Sequence, residues 1–240
     1  MTASRGRVTI AGIGPGASEA MLTYQVGRLL SEADLVIYAG TMMSPSLRRL
    51  VRGDLLFGTG FTDDVLRKRV LAAVAAGQHV AWLEPGDPSM YSGEPGWFGS
   101  LSENTTWLRN QGIDYEVLPG ISSLYALAAR LGLEHAGPSS GTPLLIYAPG
   151  RDSPESAEEQ LRALCPHRLP MALYLVSEML PKVVSIVMEY YGGHARIVVG
   201  YKVGWPDERI IDSTLAEILK VTDGSDVLRH TVVLLGAWQG

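Results

Sequence analysis

The chain has 240 residues, 46% of them apolar, with 20 basic and 25 acidic side chains and a net charge of −5. A chain of this length buries roughly 70–75% of its unfolded surface, so it needs neither disulfide nor metal to hold a core. The acid excess speaks against a general nucleic-acid binder, the single cysteine, Cys165, excludes an internal disulfide, and no run approaches 18 apolar residues, so no membrane span is expected. Met1–Arg7 is short, polar and basic and shows no secretory signal, and with one thiol the chain fits a reducing cytoplasm.

In chain order, the first apolar strand is expected at Val8–Ala11, followed by Gly12-Ile13-Gly14-Pro15-Gly16. Leu22, Val26, Leu29 and Leu30 recur at helical spacing, and Leu35–Tyr38 reads as the second strand. Val65, Val70, Leu71 and Val74 predict a helix closed by Gly77. The strand Val80–Leu83 then empties into Gly86-Asp87-Pro88-Ser89-Met90-Tyr91, and a helix is expected over Trp97–Asn110. Tyr115–Leu118 runs into Pro119-Gly120-Ile121-Ser122-Ser123 and a helix through Leu124, Leu127, Ala128 and Leu131. A turn-rich connector, Gly137–Gly141, leads to strands at Leu144–Tyr147, Met171–Val176, Ile197–Gly200 and Thr231–Leu235. Pro154 suits the first position of a helix over Glu155–Leu164. Several strands are continuous apolar runs, as sheets covered on both faces require. Alternating strands and helices predict an α/β fold of two αβα subdomains, 1–119 and 120–240, with a cofactor cleft between them.

Three small-residue turns follow three apolar strands, at the edge where open α/β sheets bind small molecules. The first is not read as a dinucleotide loop. Pro15 removes an N–H that a pyrophosphate needs, and Asp34, the acid at the right distance for a ribose, precedes a strand instead of ending one. The turn is either a plain connector or a surface for an uncharged cofactor part such as adenine. Asp87 is placed to accept hydrogen bonds from a ribose or an amine, or else to close an Asx-turn. N-capping accounts for one of Ser122 and Ser123, not both. Trp205-Pro206-Asp207-Glu208, after the strand Ile197–Gly200, is an acidic turn with one aromatic. The five histidines lack zinc spacing, no GxSxG or GxxxxGK[ST] occurs, and Cys165 fits a packing role.

Taken together, Gly12-x-Gly14-Pro15-Gly16, Gly86-Asp87-Pro88-x-x-Tyr91 and Pro119-Gly120-x-Ser122-Ser123 resemble the tetrapyrrole methyltransferase family, the class III S-adenosylmethionine-dependent methyltransferases. The likeness extends from Val8 to about Gly236. Tyr38-Ala39-Gly40, Tyr115-Glu116-Val117 and Trp205–Glu208 resemble, within it, the enzymes that methylate precorrin-4 at C-11 in cobalamin synthesis. Glu84-Pro85 departs from the His-Ser or His-Thr usual there, and Gly93, Pro95, Gly96 and Ser139–Pro143 also differ.

The resemblance implies a homodimeric enzyme that carries a methyl from S-adenosylmethionine to a carbon of a tetrapyrrole, precorrin-4 or its cobalt form, leaving S-adenosylhomocysteine. It implies no metal, nucleic acid or membrane partner. By position it assigns Pro15, Pro85, Gly86, Asp87, Met90, Ser122, Ser123, Leu175 and Val203 to the cofactor. Glu84 and Tyr91 are candidates on the substrate side. A polyacidic substrate also calls for a basic rim, for which Arg48 and Arg52, four apart on one helix face, are the first choice. The same fold acting on another tetrapyrrole, on RNA or on protein, and a nucleotide-binding module without turnover, are the competing readings.

Overall fold

The computed structural model describes residues 6–15, 19–40, 43–91, 99–134, 141–176, 179–222 and 230–238. Gly16, Gly93, Pro95, Gly96, Trp97 and most of the 137–141 connector lie outside the described residues. The chain divides into two compact units, Met1–Ser122 and Ser123–Gly240.

The first unit is built on five parallel strands: β1 (Arg7–Gly12), β2 (Leu35–Tyr38), β3 (Asp54–Phe57), β4 (His79–Glu84) and β5 (Asp114–Leu118), ordered β3-β2-β4-β1-β5. The helices are α1 (Tyr24–Glu32), α2 (Pro45–Leu50), α3 (Asp63–Ala75) and α4 (Leu101–Asn110). Alternation along β1 and β4 sends side chains to two cores. Val8, Ile10, Val80 and Trp82 meet Leu66, Val70 and Leu108 of α3 and α4. Ala11, Ala81 and Leu83 meet Val26, Leu30 and Leu47 of α1 and α2. This sandwich explains the unbroken apolar runs of β2 and β4.

Local chemistry sets the helix ends. Thr23 caps α1 by accepting the Val26 N–H at 3.2 Å, and Ser44 caps α2 by accepting from Leu47 at 3.1 Å. The helix expected from Trp97 begins only at Leu101. Ser100 forms a reciprocal capping box with Glu103, which fixes the start there.

The second unit has α5 (Ser123–Leu131), β6 (Leu145–Tyr147), α6 (Pro154–Leu164), β7 (Met171–Tyr174), α7 (Leu180–Tyr191), β8 (Arg196–Tyr201), β9 (Arg209–Thr214), α8 (Ile218–Thr222) and β10 (Thr231–Leu235). Its sheet runs β6-β7-β10-β8-β9 and is mixed: β6 and β7 are parallel, while β10 runs antiparallel to both neighbours and β9 to β8. Leu161, Val183, Val187, Ile197 and Val199 pack in one core, where the Cys165 thiol is buried and pushed up to about 11. α5 lies against the other face, where Leu127 closes over Gly200. No described helix is long and apolar enough to cross a membrane.

Candidate active site at the carboxyl edges of the sheets

In the first unit, β1, β4 and β5 lie side by side, so their outgoing turns meet at one edge. The backbones touch there. A Cβ on Gly12 would stand 2.5 Å from the Gly86 carbonyl oxygen and 2.7 Å from the Gly120 nitrogen, and one on Gly120 would stand 2.1 Å from the same oxygen. Only glycine permits that approach. Gly14 and Gly86 exchange two backbone hydrogen bonds: the Gly14 N–H donates to Gly86 at 3.1 Å, and the Gly86 N–H donates to Gly14 at 2.6 Å. The Ile13 N–H donates to the Glu84 carbonyl at 3.0 Å.

Asp87 completes the junction with its side chain. Oδ2 accepts the Gly120 N–H at 3.0 Å, and Oδ1 accepts the Ser89 N–H at 2.8 Å and the Ser89 hydroxyl. The Asx-turn is therefore formed, and the same carboxylate clamps the second turn to the third. Oδ1 already takes two donors and Oδ2 one, so the second lone pair on Oδ2 is what a ligand would use. Around the clamp, Pro15 and Met90 are half-buried, Pro85 is exposed, and Ser122 is buried at the entry to α5. Tyr91 is exposed and held at φ 55°, a strained backbone for a bulky residue.

This geometry also disposes of a phosphate loop. The Gly14 N–H is engaged by Gly86, and among the described residues the first α-helix after the glycines, α1, starts only at Tyr24. Asp34 accepts the His79 backbone N–H at 2.8 Å, a structural tie far from a ribose site.

Four strands end in a row: Phe57 of β3, Tyr38 of β2, Glu84 of β4 and Gly12 of β1. Tyr38 and Phe57 meet edge to face with centroids 6.0 Å apart, and the Arg48 guanidinium lies 5.5 Å over Phe57. Glu84 is 2% exposed. Burial pushes its carboxyl up to about 8, with the Trp82 side chain pulling the other way. Burial, and then the Glu84 charge, raise the Tyr38 phenol far above its ordinary value.

The expected basic rim is not one helix face. α2 stops at Leu50, because Val51 caps it in an extended conformation, so Arg52 lies past the helix. Arg52 stands beside Gly53, which packs against the carbonyls of Ala33 and Asp34 at the amino end of β2. Arg48, over Phe57, reaches the carboxyl end instead. The two are exposed at opposite edges of the sheet, and only Arg48 joins the row of strand ends.

The second unit has its own strained strand ends. Leu175, just past β7, is 41% exposed at φ 52°, and a Cβ on Gly150 would stand 2.1 Å from its carbonyl oxygen. Lys202, just past β8, has φ 45°. Val203 is buried against Gly200. The Trp205-Pro206-Asp207-Glu208 turn links the antiparallel pair β8 and β9. Its acids close it: Asp207 takes Lys202 Nζ at 2.6 Å, and Glu208 accepts the Gly204 N–H at 2.6 Å while meeting Arg130 at 3.4 Å. Ser123 opens α5, whose Leu124 N–H donates to the Tyr174 hydroxyl at 3.2 Å.

Sequence reasoning did not single out Phe57 or the side chain of Tyr38. Phe57 sits on a strand too short and too exposed to show as one. Tyr38 was visible only as part of a motif.

A family model described as the tetrapyrrole (corrin/porphyrin) methylases matches residues 7–219. The chain is 30% identical over 235 residues to the cobalt-precorrin-4 C(11)-methyltransferase of Methanocaldococcus jannaschii, covering 96% of this chain and 87% of that protein. It is 29% identical over 228 residues to the precorrin-4 C(11)-methyltransferase of Pseudomonas aeruginosa, covering 94% and 87%. A solved cobalt precorrin-4 methyltransferase, a cobalamin biosynthetic enzyme, matches with a TM-score of 0.83 at 26% identity, over 95% of this chain and 94% of that one. With a family match over most of its length and the glycine junction in place, the chain belongs to the tetrapyrrole methylase family.

Proposed function

We propose that this chain transfers the methyl of S-adenosylmethionine to C-11 of precorrin-4 or cobalt-precorrin-4. The observation that carries the reading is the junction of three turns at the carboxyl edge of the first sheet, in a chain whose relatives at about 30% identity are named for that reaction. The sulfonium methyl is already an activated electrophile, and the ring carbon is the nucleophile. The protein's work is then to align sulfur, methyl and carbon, which is worth effective molarities of ~10⁵ M or more.

In this reading Pro15, Pro85, Gly86, Asp87, Met90 and Ser122 contact the cofactor. The junction holds their backbone fixed, so little ordering is left to do on binding. Ser123, Leu175 and Val203 are the second unit's candidates and are tested by separate substitution. Arg48, lying over Phe57, offers a forked cation to a substrate carboxylate, and Tyr91 is the exposed group next to the second turn. Arg52 is withdrawn from this role by its place at the other edge. The reading also holds that the enzyme is a cytoplasmic homodimer working without a metal, which sizing, fractionation and assay after chelation test.

The decisive experiment incubates the purified protein with S-adenosylmethionine and either precorrin-4 or its cobalt form, and follows product mass. A gain of one methyl in place of one hydrogen, mapped to C-11, is expected. Cofactor binding without methyl gain on either ring would return the chain to the competing readings, which an RNA or protein acceptor then separates.

A further inference from the structure

We propose that Glu84 accepts the proton that the tetrapyrrole loses as its ring carbon is methylated. The inference rests on the methyl-transfer reading above and deepens it. Methyl transfer consumes the ring's π electron pair to form the new C–CH₃ bond. The S–CH₃ bond breaks, and its electrons stay on sulfur, which becomes the neutral thioether of S-adenosylhomocysteine. The ring is left with one positive charge, which it discharges by losing one proton. The balance is one proton released per methyl transferred, so a base close to the ring and the cofactor helps.

Glu84 has the right address. It is the last residue of β4 and pairs in register with Gly12, and its carbonyl fixes the first turn through Ile13. Two residues on, Gly86 joins both other turns. On its other side run Tyr38, Phe57 and Arg48, an aromatic row with a cation at its far end. The side chains of that row lie on the α1–α2 face and the Glu84 carboxyl, beside Trp82, on the α3–α4 face, so a flat, polyacidic ring would have to lie across the strand ends to meet both.

The neighbouring Trp82 indole is the side-chain partner of Glu84, and that donor is neutral. A nearly buried carboxyl is costly unless it is paired. No cation pairs with Glu84 among the described residues. From β2 the Tyr38 phenol, on the opposite face, is close enough to feel the Glu84 charge and ionises only far above neutrality. Asp87, in the following turn, is committed to Gly120 and Ser89. On α3 and α4, packed over the same face, Arg67 is committed to Asp63 and Asn104, and Glu103 to Ser100. An acid held near 8 is a far stronger base, once ionised, than an ordinary carboxylate, and it suits proton uptake near neutral pH directly or through one water.

The test measures single-turnover methyl transfer against pH for wild type, Glu84→Gln and Glu84→Asp, with cofactor affinity by calorimetry alongside. Wild type is expected to speed up as pH rises through Glu84's ionisation. Glu84→Gln should lose roughly 10²-fold or more in rate and lose that rise, while binding S-adenosylmethionine within about twofold of wild type. Glu84→Asp should recover part of the rate and show the rise again. A Gln variant with the wild-type rate or an unchanged pH profile overturns the proposal, as does an Asp variant no better than Gln. A wild type that binds the cofactor but methylates neither form of precorrin-4 overturns the functional reading itself and the proton role with it, so the two failures are told apart.

Discussion

The two sheets end in turns made by different means. In the first unit the turns are joined by backbone: glycines in contact, paired amides and one carboxylate bridging two loops. In the second, the strand ends are held by strain and by side chains, with Leu175 and Lys202 at positive φ and the β8–β9 turn closed by Lys202–Asp207 and Glu208–Gly204. Backbone junctions tolerate almost no substitution, whereas side-chain closures tolerate much. The first unit's junction is therefore the more rigid of the two sets of strand ends, and its sequence is correspondingly spare.

The largest effect should come from Gly120→Val. A Cβ there meets a carbonyl oxygen at 2.1 Å, with the Gly12 backbone behind it, so two strands must part. We expect a loss of roughly 4 kcal/mol or more, on the scale of severe core overpacking, read as a collapsed urea midpoint. Stability within about 1 kcal/mol of wild type would show that the junction is looser than drawn. The equivalent change at Gly192, which has no neighbour within 4 Å, should cost less despite its positive φ.

Next is the pH dependence that Glu84 imposes. Its folded pKa of about 8 lies above the ordinary 4.5. Below pH 4.5 both folded and unfolded chains are protonated there, and Glu84 costs nothing. As pH rises the unfolded chain ionises first, so stability falls until pH passes about 8, where the folded carboxyl ionises too. Glu84→Gln removes that slope. The variant should gain up to about 4 kcal/mol over wild type at pH 8 and nothing near pH 4. Parallel stability profiles for the two proteins would mean that Glu84 is solvated in the folded state.

Asp87→Ala comes third. It leaves the Gly120 N–H and the Ser89 N–H without their acceptor, at about 1–3 kcal/mol for a charged hydrogen bond. Because the clamp positions the cofactor turns, affinity for S-adenosylhomocysteine should fall along with stability. Calorimetry and thermal unfolding on one preparation separate the two. Lost stability with affinity per folded molecule unchanged would leave Asp87 as a clamp only.

Why these features differ in legibility follows from their physics. The parallel core of the first unit announced itself through continuous apolar runs, and β2 and β10 span the residues their apolar pattern marked. β3 and β9 did not show, because each is a sheet edge with half-exposed residues: Asp54-Leu55-Leu56-Phe57 and Arg209–Thr214 lack a buried face that would enforce a pattern. The turns were legible because close backbone approach needs glycine, and nothing else accounts for three such clusters after three strands. The meaning of Glu84 was hidden, since a glutamate at a strand end reads as solvated. Its burial depends on which strands lie beside β4, and sequence does not state that order. Arg52 went wrong for a related reason: spacing of four predicts a shared face only while the helix lasts, and α2 ends at Leu50.

The smallest effect is also the sharpest probe of the second unit. Leu175 keeps an apolar side chain 41% exposed on a left-handed backbone, two costs that a mere connector would avoid. A left-handed conformation costs a non-glycine residue about 1–2 kcal/mol, and glycine returns part of that through its freedom in the unfolded chain. Leu175→Gly should therefore leave stability unchanged or raise it by up to about 1 kcal/mol. If Leu175 lines the cofactor, the same change should weaken S-adenosylmethionine binding several-fold, and Leu175→Met should preserve it. Gain in stability with loss of affinity is what a residue strained for function shows. A glycine variant that binds the cofactor as well as wild type would leave the strain at this strand end without a ligand to explain it.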